Sequence, residues 1–205
     1  MEARNAEVAA RDDDGTPDRR GRADDDALVV RAGKGDHEAF RELVERHGAR
    51  IVGFAGRLLG DRVAAEDVAQ DTFLRLWAGA ARWRPTGVGL GPWLHRVALN
   101  LCRDRRARAR EQPLDAAPEP VDPAPSAAGL VHRREVGAAV QRALAELPES
   151  QRVAIALCHF QGLRNVEAAE VMDVSIEALE SLLARGRRTL REQLRAVASA
   201  LLGDA

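Results

Sequence analysis

The chain has 205 residues, 45% of them hydrophobic and only 3% aromatic, with no tyrosine, and its charges balance to a net of −1. That length and apolar content suffice for one or two packed domains, and the bias to Ala, Leu, Val and Arg favours helices over a β-sandwich. Near-neutrality excludes bulk basicity as an argument for a polyanionic partner, and the lack of a signal segment or a long apolar run predicts a cytoplasmic protein without a membrane span.

Residues 1–24 are polar and unpatterned, and they predict a disordered acidic tail. Helical periodicity starts at 26–30 and continues through 36–47 and 50–59. Gly60-Asp61 ends one helix and caps the next, which runs to about Ala80. Residues 84–91, RPTGVGLG, predict a Gly-rich loop, with Pro92 in the first-turn position of a helix over 93–110. Five of the nine prolines fall in 112–128, which predicts an extended linker. Helices follow at about 129–146, 148–161, 165–172 and 176–202. The expectation is an all-α protein of two small helical domains, 25–110 and 129–205, joined by a flexible Pro-rich linker over 111–128. The two cysteines, Cys102 and Cys158, lie in apolar helical patterns and read as small buried residues of a reducing compartment.

Charge is unevenly placed along this plan. Residues 92–110 carry six arginines against one acid, and 185–195 carry five against one. The second cluster belongs to 162–194, which reads as a short helix, a turn at Asp173-Val174 and a longer helix, the layout of a helix-turn-helix. At 100° per residue, Leu179, Leu182, Leu183, Gly186 and Leu190 form its core stripe. Glu177, Ser181, Ala184, Arg185 and Arg188 lie opposite. Arg185 and Ser181 suit base edges or phosphate, Glu177 suits cytosine, and Arg187, Arg188 and Arg191 suit phosphates. Ser175 is the expected N-cap.

The N-terminal half pairs an acidic helix with a basic one. Over 61–80, Ala65, Val68, Ala69, Thr72 and Leu76 share a buried face. Asp67, Gln70, Asp71 and Arg75 line another, with Leu74 among them, a pattern that suits a protein contact. In the next helix Trp93, Leu94, Val97, Ala98 and Leu101 form the core face. Arg96, Asn100 and Arg103 share the opposite stripe at i, i+4, i+7, with His95 and Leu99 beside them. Arginines and an amide on one face suit a nucleic-acid backbone and an exposed base. His95 is expected at the surface, without a second ligand at metal-binding spacing.

Three ordered motifs then resemble one family. AEDVAQDTFLRLW (65–77), PWLHRVALNLCRDR (92–105) and LPESQRVAIALCHFQGLRNVEAAEVMDVSIEALESLLARGRR (147–188) are similar to bacterial RNA polymerase sigma factors, in the two-domain extracytoplasmic-function (ECF) group of the sigma-70 family. The resemblance covers roughly 26–110 and 129–195. It implies that Asp67, Gln70, Asp71 and Phe73 dock on core RNA polymerase. It implies that Arg96, Asn100 and Arg103, with the 84–91 loop, hold melted promoter DNA at the −10 element. Glu177, Ser181, Arg185 and Arg188 would read the −35 element. Such factors are commonly held by an anti-sigma partner.

The sequence contains no nucleophile triad, metal-spaced cluster or phosphate-binding loop, so no enzyme activity, metal or cofactor is expected. The rival reading is a conventional helix-turn-helix regulator with a ligand pocket or phospho-acceptor in its N-terminal half. The acidic helix beside a basic one speaks against that.

Overall fold

A computed structural model describes residues 19–85, 89–111 and 128–202. Every regular element among them is helical. In the N-terminal unit these are α1 (Arg19–Ala32), α2 (His37–Leu59), α3 (Arg62–Gly79) with a 3₁₀ turn at Ala80–Arg82, and α4 (Leu90–Glu111). The C-terminal unit holds α5 (Ala128–Glu146), α6 (Glu149–Ile155), α7 (Asn165–Met172) and α8 (Ile176–Leu202). Among the described residues, no helix is long and apolar enough to cross a membrane.

Local chemistry fixes the helix boundaries. Asp36 caps α2, its Oδ1 accepting from the Glu38 and Ala39 amides at 3.1 Å each. Those amides and the Arg31 guanidinium hold its carboxyl below the usual range. Gly60 ends α2 at φ 73°, a left-handed conformation that suits glycine. Asp61 then caps α3 through the Ala64 amide at 3.0 Å. The Gly60-Asp61 punctuation thus acts as the sequence indicates. Inside α3 the buried Thr72 satisfies its hydroxyl by donating to the Val68 carbonyl at 2.7 Å.

Two expectations change. The helix expected from about residue 26 begins at Arg19, so 19–24 belong to α1 and not to a disordered tail. Tertiary contact is the reason: the buried Asp25 receives His47 Nε2 at 2.8 Å and Arg46 Nη1 at 3.2 Å. Burial alone would raise the Asp25 pKa, but His47 and Arg46 outweigh it and hold the carboxyl low. The second change is that the helix opened by Pro148 stops being α-helical at Ile155 and widens into a π turn over Ala156–Phe160. The predicted tail 1–18, most of the predicted linker (112–127) and loop positions 86–88 lie outside the described residues.

The units are in direct contact. One continuous apolar cluster runs from Leu43, Ile51, Phe54, Val68 and Leu94 to Leu144, Val153, Leu157, Ala168 and Leu179. Gln141 Nε2 donates to the Gly56 carbonyl at 3.0 Å, Arg50 donates to the Gln161 carbonyl, and the Arg57 guanidinium sits 4.2 Å over the Phe160 ring.

Candidate nucleic-acid interface

The C-terminal candidate face is built by α7 and α8. Arg164 N–H donates to Glu167 Oε2 at 2.9 Å, which ties the entry of α7. Asp173 takes a left-handed φ of 57° and ends that helix. Ser175 caps α8 as expected, its Oγ accepting from the Ala178 amide at 3.2 Å. Ala168 and Ala169 of α7 are both buried, and buried Gly186 leaves room for Ile155. Leu179 and Leu183 are buried, while Leu182 and Leu190 pack partly against the core.

Glu177, Ser181, Arg185 and Arg188 are all exposed on the far side. The Glu177 carboxyl is held below its usual pKa by its own backbone amide and by the Ser175 hydroxyl, so it is a carboxylate near neutrality. Arg185 folds back along the helix, donating to Ser181 Oγ at 3.0 Å and to the Ser181 carbonyl at 3.3 Å. Glu180 is turned aside toward Asn165, whose Nδ2 donates to it at 3.4 Å. Its carboxylate is drawn toward the start of α7 while remaining exposed.

The α3 face places Asp67 and Gln70 in solvent, Asp71 half-buried, and Leu74 at 56% exposure. Phe73 does not share that face. It is only 6% exposed and packs edge-on against Phe40 at 6.4 Å, so it shapes the helix from within. Asp67 accepts from Arg105 Nη1 and Nη2 at 3.2 Å each, which ties α3 to α4.

On α4, Arg96, Asn100 and Arg103 share one exposed stripe as expected. Their neighbours do not lie at the surface: His95, Leu99 and Cys102 are all buried. His95 is thus a core residue. Its Nδ1 lies 2.8 Å from the Gly91 carbonyl and its ring meets Phe54 edge-on at 5.1 Å. Burial, reinforced by the Arg50 charge, lowers its pKa to about 4 and keeps the ring neutral. Burial likewise pushes the Cys102 thiol up to about 12.

An aromatic feature escaped the sequence reading. Trp83, just before the Gly-rich loop, donates Nε1–H to Asp26 at 2.9 Å and meets Trp93 edge-on at 5.6 Å. With Leu76, Gly79, Arg82 and Arg84 they line a cavity of about 380 Å³ at the start of α4. The usable signal was a pair of tryptophans bracketing a glycine-rich loop beside arginines.

Comparison with known proteins agrees with this geometry. Residues 43–112 match the family profile Sigma-70 region 2, and 137–190 match Sigma-70, region 4. The ECF RNA polymerase sigma factor SigE of Mycolicibacterium smegmatis is 37% identical over 163 residues, covering 76% of this chain and 62% of that protein. SigM of Mycobacterium tuberculosis is 33% identical over 176 residues, covering 86% and 87%. Among solved structures, CnrH in complex with the cytosolic domain of CnrY is similar with a TM-score of 0.64 and 28% identity, covering 84% of this chain and 98% of that one. RpoE in complex with the anti-sigma factor NepR, from Bartonella quintana, gives 0.63 and 28%, covering 76% and 96%. This chain therefore belongs to the ECF group of the sigma-70 family and is an RNA polymerase sigma factor.

Proposed function

We propose that this chain directs core RNA polymerase to its promoters by dividing the work among three faces. The exposed set on α8, Glu177, Ser181, Arg185 and Arg188, reads the −35 element from the major groove. The stripe of Arg96, Asn100 and Arg103 on α4 tracks the opened strand at the −10 element. An unstacked base enters the Trp83–Trp93 cavity, where an aromatic face offers stacking without sequence demand. Asp67, Gln70 and Asp71, around the exposed Leu74, dock on polymerase. Phe73 supports this face from beneath.

The single observation that carries this reading is the side-by-side placement of an acidic α3 face and a basic α4 face in one unit, joined by Asp67–Arg105. A conventional regulator has no use for that pairing. The chain supplies no catalytic group and requires no metal or cofactor, because the chemistry of RNA synthesis belongs to the polymerase. It acts in the cytoplasm and is a target for an anti-sigma protein, as the similar RpoE of Bartonella quintana, solved in complex with the anti-sigma factor NepR, is.

Run-off transcription on defined templates tests this. Core polymerase plus this chain is expected to yield transcripts of discrete length that core polymerase alone does not make. The same end-initiated background with and without the chain would refute the reading.

A further inference from the structure

Trp83 does not hold its place in the cavity at the start of α4 by packing alone. Its Nε1–H donates to Asp26 Oδ1 of α1 at 2.9 Å, across 57 positions of chain. α1 reaches this point because it lies against the 3₁₀ turn that precedes Trp83. Val29 is buried, and Gly33 approaches so closely that a Cβ there would stand 2.6 Å from the Ala80 carbonyl carbon. Asp26, Val29 and Gly33 are spaced at i, i+3, i+7 and so share one face. A part-buried indole needs an acceptor for its N–H, and here a packed helix supplies it.

The choice of partner is informative. Arg82 and Arg84 flank Trp83 and line the same cavity. An acid beside two arginines would ordinarily pair with them, yet among the described residues neither guanidinium forms an ion pair. Arg84 instead donates to the Trp83 carbonyl at 3.1 Å. Both charges stay open to phosphates, while Asp26 is committed to the indole. The result is a corner: the Trp83 and Trp93 rings stand 88° apart with 5.6 Å between centroids. A base stacked on one ring has its edge against the other. Removing the Asp26 bond frees the Trp83 ring to rotate about χ1 and χ2, which opens the corner.

We propose that Asp26 is a positioning residue for promoter opening: it fixes the Trp83 indole so that Trp83 and Trp93 together receive one unstacked base of the −10 element. The gain lies in preorganisation, since a wall already in place need not be ordered when the base arrives. This deepens the sigma-factor reading and rests on the cavity's role in it; the bond between Asp26 and Trp83 does not.

Two measurements on the full chain test it. The chain has three tryptophans, so nitrogen-15 indole labelling gives three N–H resonances, and Trp83→Phe identifies the one that belongs to Trp83. That resonance is expected to move upfield in Asp26→Ala and to stay near its place in Asp26→Asn, whose amide oxygen still accepts. Opening is then read by permanganate reactivity of unpaired thymines, with core polymerase, on a promoter fragment that gives a run-off transcript with the parent chain. Asp26→Ala is expected to lower the opening constant about three- to tenfold, the range set by one hydrogen bond, and Asp26→Asn to restore most of it. In a Trp83→Phe background, where no N–H remains to be held, Asp26→Ala is expected to change nothing further. A merely structural role for Asp26 would lower opening there as well. Should Asp26→Ala fail to fold by circular dichroism, Asp26→Leu removes the acceptor while keeping the bulk, and the same outcomes are expected. An indole resonance that ignores the loss of Asp26, unchanged opening, or equal losses in both backgrounds overturns the proposal. If the parent chain itself opens no promoter, the sigma-factor reading falls and takes the positioning role with it, while the resonance shift still reports the bond.

Discussion

Arg185 and Ser181 are bonded to each other on the open face of α8, Nη2 to Oγ at 3.0 Å. The guanidinium lies parked along its own helix and must swing outward to reach a base, exchanging one exposed hydrogen bond for another at little net cost. Replacing Arg185 by Ala should remove about 1–3 kcal/mol of discrimination at the −35 element. Competition binding of holoenzyme to promoter variants measures it. Polymerase affinity should not change, and a loss of core binding in that variant would reassign the residue.

The α3 face makes a separate prediction. Asp67→Lys with Asp71→Lys should lower affinity for core polymerase by at least about tenfold through like-charge repulsion across the docking surface. Folding should suffer little, because the exposed Asp67–Arg105 pair contributes only about 0–1 kcal/mol. Co-purification with core enzyme together with a thermal melt separates the two effects. Undiminished co-purification would remove this face from the docking surface.

His95 sets an acid limit on stability. Its pKa is about 4 in the folded chain against 6.5 when exposed, so between those values the unfolded chain binds a proton that the folded chain refuses. Stability from this group is therefore complete above about pH 6.5 and is lost as pH falls toward 4, by on the order of 3 kcal/mol. Asp25, whose carboxyl is depressed, adds a loss in the same direction at lower pH. Urea unfolding of the chain and of His95→Phe across pH 4–7 should show a shallower pH slope in the variant. Parallel slopes would mean that His95 is not buried neutral.

Gly33 tests the packing that carries α1. A Cβ there would lie 2.6 Å from the Ala80 carbonyl carbon, a backbone neighbour that cannot rotate aside. Gly33→Ala should cost about 1–3 kcal/mol, the usual penalty for overpacking. An unchanged denaturation midpoint would show that α1 does not sit against the 3₁₀ turn at Ala80–Arg82.

Legibility in the sequence followed the range of the forces involved. Caps act over two or three residues, so Gly60-Asp61 and Ser175 were readable directly. The α8 faces were readable because that helix buries a single stripe. The α4 periodicity misled for the opposite reason. This helix is covered on two sides, and His95 and Leu99 are buried beyond the one core face that a single stripe allows. Phe73 was assigned to the docking face by its place in a motif, while contact with Phe40, 33 positions earlier in the chain, draws it inward. The start of α1 at Arg19 was hidden for the same kind of reason, since its anchor joins Asp25 to His47 across 22 positions.

Mapping the 5′ ends of RNAs made in vitro on fragmented genomic DNA, with core polymerase and this chain as the only added proteins, shows whether the chain confers promoter choice. A limited set of start sites is expected, each preceded by the same two sequence elements at a constant spacing. Ends scattered as they are for core polymerase alone would contradict it.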